Sequence, residues 1–322
     1  MTDIDPDQGR LGGGGTPARP PGPVPGGFVP SIRPGQTPPP APVWPPDTSL
    51  SPGGGGQSGP FLDRPGVPPT TKSAAGRWFF YALLGFLAGQ IIGSVFAVLA
   101  GDIAGKNATQ MTAIANAASP PEWYVISTLV GLWVGFIGAP WLASRTQGTR
   151  HLLSDLGVRF RWADLWGLAI GVGAQYGIAL LYWPFQHDIH NMNAPGQKLT
   201  GGAHGAGIVV VVVATVIVVP FMEELFFRGL LFKALARLFT PPGPGTTRAR
   251  GAGVVLAVIV DGLLFGLAHG EWVQFAGLAL FGAILAAISY RSGRLGMNML
   301  AHASFNLIAV VSILNQRGGV IH

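Results

Sequence analysis

The chain has no cysteine and few charged residues, and both features limit the classes of protein to which it can belong. Without cysteine the protein can form no disulfide, no thiolate nucleophile and no cysteine-based metal site. Charged residues make up 11% of the chain, whereas a soluble domain carries about 25%. Hydrophobic residues make up 48%, and the mean hydropathy is +0.42. These values indicate an integral membrane protein whose main partner is the lipid bilayer.

The excess of positive charge has an ordinary explanation in such a protein. The net charge is +6, but the basic residues lie mostly in loops between apolar segments. Loops that stay on the cytoplasmic side of a membrane collect lysine and arginine during insertion. We therefore expect no nucleic-acid partner.

Residues 1–76 differ in composition from the rest of the chain. They hold most of the 28 prolines, together with glycine runs at Gly12–Gly15 and Gly53–Gly56. Such a segment cannot bury enough apolar surface to offset the entropy lost on ordering, so we predict a disordered cytoplasmic tail. Phe28 and Trp44 are candidate docking points for a partner that recognises proline motifs. The alternative is a plain spacer.

From Trp78 onward the chain contains seven apolar segments, most of which reach the roughly 20 residues needed to cross hydrocarbon. This pattern predicts an all-α, polytopic bundle of about seven transmembrane helices. The predicted spans are Trp78–Ala100, Trp123–Ser144, Trp162–Phe185, Gly207–Phe239, Ala252–His269, Trp272–Tyr290 and Leu295–Leu314.

The fourth span is too long for one straight crossing, and Pro220 interrupts it. Proline is tolerated in the first turn of a helix or makes a kink. We therefore expect a fresh helical stretch near Pro220 that carries Glu223. Whether this is one bent helix or two stays open at this point.

Basic residues alternate between the predicted loops. Arginines are concentrated in every second loop, and the intervening loops hold Lys106, Lys198 or no basic residue. The positive-inside rule then places the N-terminus and the arginine-rich loops in the cytoplasm of a multi-pass cell-membrane protein. The arginines concerned are Arg145, Arg150, Arg159, Arg161, Arg248, Arg250, Arg291 and Arg294.

Two adjacent acids, Glu223 and Glu224, follow the apolar run of the fourth span. An ionised carboxylate in hydrocarbon costs roughly 2.5–3.5 kcal/mol on insertion scales, so an acid there indicates a functional site. Glu224 and Arg228 are four apart and share a helix face, which predicts a supporting ion pair. Glu223 points about 100° away from that face. It is left without a local partner and is the candidate reactive group.

Further polar residues interrupt the later spans. They are His269 in the fifth, and His302 and Asn306 in the seventh. Polar groups in lipid should turn inward and meet, so we expect these side chains in one cavity with Glu223. Asp261 lies eight residues before His269, about 80° around the helix, and is interpreted more as a boundary residue than as part of the site.

Two hydrolytic schemes fit these groups. Glu223 with His269 and His302 could hold Zn²⁺ or another divalent metal with an open fourth position. Without a metal, Glu223 could act as general base on a water that His269 helps to position. His302 and Asn306 could then donate hydrogen bonds to a developing oxyanion. Both schemes hydrolyse a carbonyl compound, and the residues alone do not choose between them.

The same residues form three motifs in order. Glu223–Arg228 reads EExxxR, Phe265–His269 reads FxxxH, and His302–Asn306 reads HxxxN. This set resembles the CPBP intramembrane proteases, also called the CAAX protease or Abi family. The resemblance covers about the last hundred residues and implies a catalytic transmembrane domain over 201–316, preceded by transmembrane helices over 77–200.

The resemblance also implies roles for these residues. Glu223 would activate water, His269 and His302 would lie at the water or metal, and Asn306 at the oxyanion. Glu224 and Arg228 would support the site. The activity implied is an intramembrane endopeptidase acting on a membrane-associated peptide or protein. Two alternatives stay open, namely a proton- or solute-coupled transporter and a non-catalytic immunity or scaffold protein of the same fold.

Overall fold

The computed structural model describes Leu62 and residues 66–185, 203–240 and 247–318. The predicted tail lies outside the described residues as far as residue 61, and so does the loop of residues 186–202. All the regular structure in the described ranges is helical, with no strand.

We number nine helices in these ranges. Seven of them, α1, α3 and α5 to α9, are long and apolar enough to cross a membrane, α5 together with its flanking 3₁₀ turns. The predicted all-α, seven-span class is therefore confirmed. The bounds are α1 Lys72–Ile103, α2 Ala108–Ala115, α3 Glu122–Gln147, α4 Leu152–Leu156, α5 Trp166–Tyr182, α6 Ala206–Phe239, α7 Thr247–Ala268, α8 Phe275–Ser292 and α9 Gly296–Gly318.

The predicted span bounds agree with these helices except at a few ends. Helix α1 begins six residues before Trp78, because the Thr71 hydroxyl accepts a hydrogen bond from the backbone N–H of Ala74 at 3.1 Å and caps the helix. Helix α8 begins at Phe275, three residues after the predicted start at Trp272. Apolar composition located the spans, whereas capping and turns set their ends.

The fourth span is one helix, α6, and Pro220 does not divide it into two. The helical segment is continuous from Ala206 to Phe239 and contains two π-helical stretches, Ala214–Val218 and Glu224–Phe232. Pro220 lies in the short α-helical stretch between them. The wider turn of a π-helix changes which residues share a face, and such stretches are frequent at functional sites. The predicted break is thus a change of helix type within one span.

The centre of the bundle is the second half of α6, where residues 224–236 are all buried. Helices α1, α3, α4, α7 and α8 pack against the π-helical stretch of this segment. Helix α9 packs on the part of α6 before it and reaches Glu224 through side-chain hydrogen bonds. Helix α5 packs instead on α9. This arrangement surrounds Glu224 with other helices and places α9 between α5 and the site.

Small residues allow the outer helices to pack closely. On α1 and α3, Gly89 lies against the carbonyl oxygen of Leu132, and an added Cβ there would lie 2.9 Å from it. Gly167 of α5 lies against α9, and Gly262 of α7 lies against α8 in the same way. Small residues at every fourth position therefore allow helices of the same chain to contact each other closely.

Gly135 on α3 provides a test of this packing. A Cβ at Gly135 would meet the carbonyl oxygen of Gly85 and lie 2.8 Å from Gly89, so Gly135→Ala should lower the free energy of unfolding by about 1–3 kcal/mol. Gly138 lies three residues on and has no atom within 4 Å of such a Cβ. Gly138→Ala should therefore leave stability unchanged or raise it. Equal unfolding midpoints for both variants in detergent micelles would contradict the packing.

Candidate active site

Glu224 lies at the centre of the site and is fully buried. Its Oε1 accepts hydrogen bonds from Nη1 of Arg228 and from Nδ1 of His302, both at 2.9 Å. Its Oε2 accepts a hydrogen bond from Nδ2 of Asn298 at 3.3 Å. The predicted pairing of Glu224 with Arg228 is present, and two groups of α9 complete the environment of the carboxylate.

Arg228 joins three helices through one guanidinium group. Besides the bond to Glu224, its Nη2 donates to the carbonyl oxygen of Gly282 on α8 at 3.1 Å. The guanidinium also lies 4.3 Å from the ring centroid of Phe265 on α7, a cation–π contact. Removing this side chain would therefore disturb α6, α7 and α8 together.

Asp261 belongs to the environment of Arg228, contrary to its interpretation as a boundary residue. It is fully buried, and its Oδ2 lies 3.6 Å from Nε of Arg228. The angular offset of Asp261 from His269 suggested a different face of α7. The long arginine side chain reaches that face from α6, so a helical-wheel argument on α7 alone could not find the contact.

His302 connects the two adjacent glutamates. Because Glu224 is paired with Arg228 as a carboxylate, it accepts at Nδ1 of His302, and this network assigns the ring proton to Nδ1. A neutral ring with its proton on Nδ1 carries a lone pair on Nε2, and this atom lies 3.7 Å from Oε2 of Glu223. That oxygen of Glu223 is buried and has no hydrogen-bond partner among the described residues.

His269 is oriented in a similar way from the end of α7. Its Nδ1 lies 2.8 Å from the carbonyl oxygen of Phe265, which can only accept, so Nδ1 donates and Nε2 carries the lone pair. The Phe265 ring packs edge-on against both imidazoles, with ring centroids 4.7 Å from His269 and 5.6 Å from His302. Phe265 thus holds both rings in place.

Asn306 ties α9 to the first π-helical stretch of α6. Its Nδ2 donates to the carbonyl oxygen of Thr215 at 2.9 Å. A primary amide has two N–H groups, so one remains for another acceptor. The predicted oxyanion role of Asn306 is compatible with this bond and stays a prediction.

The tentative metal set is not assembled as a ligand cluster. Within the described ranges, no three His, Asp or Glu side chains are grouped so that they could hold a metal ion. His302 uses Nδ1 for Glu224, and only its Nε2 faces Glu223. Metal assistance stays a prediction.

Asn298 is the site residue that the sequence interpretation missed. Its Nδ2 donates to Glu224 and also to the carbonyl oxygen of Leu285 on α8 at 2.7 Å. Asn298, His302 and Asn306 recur every four residues, which places them along one face of α9. That spacing was a usable signal, because polar residues repeated along one face of an apolar helix indicate a buried polar contact.

Residues 205–308 match the family model of Rce1-like type II CAAX prenyl endopeptidases. The chain carries a CAAX-protease domain. The matched range contains all three motifs and every site residue described above, so the recognition made from the motifs is confirmed. In general terms the domain is that of a membrane-embedded endopeptidase. Neither a curated protein nor a solved structure matches the chain.

The buried ion pair at the centre of this domain yields a stability prediction. Arg228→Met should lower the free energy of unfolding by about 3–5 kcal/mol, because it leaves the buried carboxyl groups of Glu224 and Asp261 without their cationic partner. Glu224→Gln should lower it by less, because Asp261 still lies 3.6 Å from Nε of Arg228. The double variant Glu224→Met with Arg228→Leu should recover only part of the Arg228→Met loss, because Asp261 still lacks its partner. Unfolding midpoints in detergent micelles measure both effects.

Asp102→Asn is the matched control for removing one charge, since Asp102 is exposed near the end of α1. Its midpoint should equal that of the wild type. Single variants as stable as this control would show that the pair contributes nothing to the fold.

Proposed function

We propose that the protein is an intramembrane endopeptidase in which Glu223 is the general base that activates a water molecule. The observation that carries this proposal is the geometry at Oε2 of Glu223. This oxygen is buried, has no hydrogen-bond partner in the described part of the chain, and lies 3.7 Å from Nε2 of His302. Both atoms are acceptors when Glu223 is ionised and His302 is neutral.

Two acceptors cannot bond to each other, but one water molecule can donate a hydrogen to each of them. A water held in this way directs its remaining lone pairs away from both groups and toward an incoming substrate. The bond between His302 and Glu224 fixes the ring so that Nε2 faces Glu223. Glu224 would therefore act by positioning His302, while Glu223 takes the proton.

The proposed reaction is hydrolysis of a peptide bond. The water oxygen forms a bond to the carbonyl carbon, and its proton passes to Glu223. The free N–H of Asn306 donates to the resulting oxyanion, and His269 helps to position the water. The carbon–nitrogen bond then breaks, and the proton on Glu223 moves to the leaving amine. The products are a carboxylic acid and an amine, and transfer of the acid proton to the amine then gives a carboxylate and an ammonium group.

The location of the site suits a membrane-associated substrate. Glu223 lies on α6, a helix of the membrane-spanning bundle, and its side chain is only 14% exposed. Apolar helices that surround a polar cavity exclude bulk water and strengthen electrostatic contacts inside it. We therefore propose that the substrate is a peptide or protein segment that reaches the site from the membrane.

Glu223→Gln tests the general-base role. The variant keeps the shape of the side chain but cannot take a proton, so kcat should fall by about 10²–10⁴-fold with little change in unfolding midpoint. The measurement is cleavage of a library of quenched fluorescent peptides by the purified protein in liposomes. Asp102→Asn should retain wild-type activity, because Asp102 is exposed and lies outside the matched domain.

Several outcomes would count against the proposal. Full activity of Glu223→Gln would remove Glu223 from the role of base. Loss of wild-type activity on chelation, restored by zinc, would favour the metal-assisted scheme. A wild-type protein that cleaves no peptide but couples proton movement to solute uptake would point to the transporter alternative.

We further propose that the N-terminus and the arginine-rich loops face the cytoplasm. The absence of native cysteine permits a direct test with single cysteines at exposed positions. Lys106→Cys should react with a membrane-impermeant maleimide in intact cells, whereas Arg291→Cys should react only after permeabilisation. The reverse labelling pattern would invert the topology.

A further inference from the structure

The connection between α4 and α5 presents basic and aromatic side chains together at the start of the third span. We call residues 158–166 the α4–α5 elbow. Phe160 is 58% exposed, Trp162 87% and Trp166 71%. Arg159 and Arg161 are exposed between them. Aromatic and cationic residues thus alternate along one short surface segment.

The backbone of the elbow is fixed by a buried carboxylate. Asp164 is fully buried and accepts from Nε of Arg294 at 2.9 Å and from Nη2 at 2.7 Å. It also accepts from the backbone N–H of Arg161 at 2.8 Å. Gly296 packs so closely that an added Cβ would lie 2.6 Å from the carbonyl oxygen of Arg159. The elbow is therefore attached to the start of α9.

Among the described residues, Arg159 and Arg161 of the elbow have no acidic partner. Asp164 is the only acidic residue of the elbow, and Arg294 neutralises that carboxylate. The guanidinium groups of Arg159 and Arg161 face outward from a segment that begins a membrane span. Tryptophan is enriched at the level of lipid headgroups, and arginine there is attracted to anionic headgroups. Charge and aromatic character together match an anionic lipid surface.

We propose that the α4–α5 elbow binds anionic phospholipid headgroups and that this binding stabilises the root of α9. The coupling follows from contacts already described. Arg294 precedes α9 directly, and Gly167 and Gly171 of α5 pack against the backbone of α9 between Met297 and Ala301. Helix α9 carries Asn298, His302 and Asn306. A lipid bound at the elbow therefore stabilises the position of α9, the helix that carries these three site residues. This effect does not depend on whether the site is catalytic.

The test titrates the purified full-length chain in neutral detergent micelles with phosphatidylglycerol or phosphatidylcholine. Thermal midpoint and quenching of tryptophan fluorescence by brominated lipid are the two measurements. Phosphatidylglycerol should raise the thermal midpoint, and its brominated form should quench the tryptophan fluorescence. Phosphatidylcholine should have only a weak effect on both measurements. In the double variant Arg159→Gln with Arg161→Gln, the apparent affinity for phosphatidylglycerol should fall about fivefold or more.

The matched control removes the same charge from another cytoplasmic loop. Arg248→Gln with Arg250→Gln should change the affinity for phosphatidylglycerol by less than about twofold, because no exposed tryptophan adjoins those residues in the described chain. Equal losses in the two double variants would show attraction by general charge and would overturn the proposal. Equal responses to the two lipids, or an equal response to soluble glycerol phosphate, would overturn it as well.

A second variant keeps the test decisive if the arginine variant is unstable without lipid. Trp162→Phe with Trp166→Phe removes no charge, and both side chains are exposed. Quenching by brominated phosphatidylglycerol should fall clearly in this variant, and quenching by brominated phosphatidylcholine should change little. Unchanged quenching by both lipids would place the anionic lipid away from the elbow.

Discussion

The buried pair of Glu224 and Arg228 is the interaction on which the rest of the structure depends. Charges inside an apolar bundle are tolerated only when each is paired and its remaining polar atoms are bonded. The neighbouring helices supply these partners, since α8 provides the carbonyl oxygen of Gly282, α7 the ring of Phe265 and α9 the amide of Asn298. Nε of Arg228 makes no hydrogen bond in the described chain and lies 3.6 Å from Asp261. One ion pair thus fixes the relative positions of four helices.

This network gives two adjacent glutamates different tasks. Both oxygens of Glu224 accept hydrogen bonds, and one of these bonds holds Nδ1 of His302, so the ring is oriented before any substrate arrives. Glu223, one residue earlier, has a buried oxygen that meets no donor among the described groups. A carboxylate in that state retains its capacity to accept a proton. The support that orients His302 and the group proposed to react are therefore neighbours in the chain.

Helix α9 is held at two levels by polar contacts. At its start, Arg294 pairs with the buried Asp164 of the α4–α5 elbow, and about two turns further His302 hydrogen-bonds to Glu224. Close contacts with Gly167 and Gly171 fix the side of α9 that faces α5. Helix α9 therefore connects the α4–α5 elbow to the residues of the site.

The sequence by itself determined the spans, the pairing of Glu224 with Arg228 and the three motifs, because hydrophobic length and four-residue spacing are local properties of a helix. Only the tertiary structure decided the partners of Asn298 and Asp261 and the π-helical form of α6 around Glu224. Spacing along one helix defines its faces. Which faces meet depends on close packing between helices that are far apart in the chain.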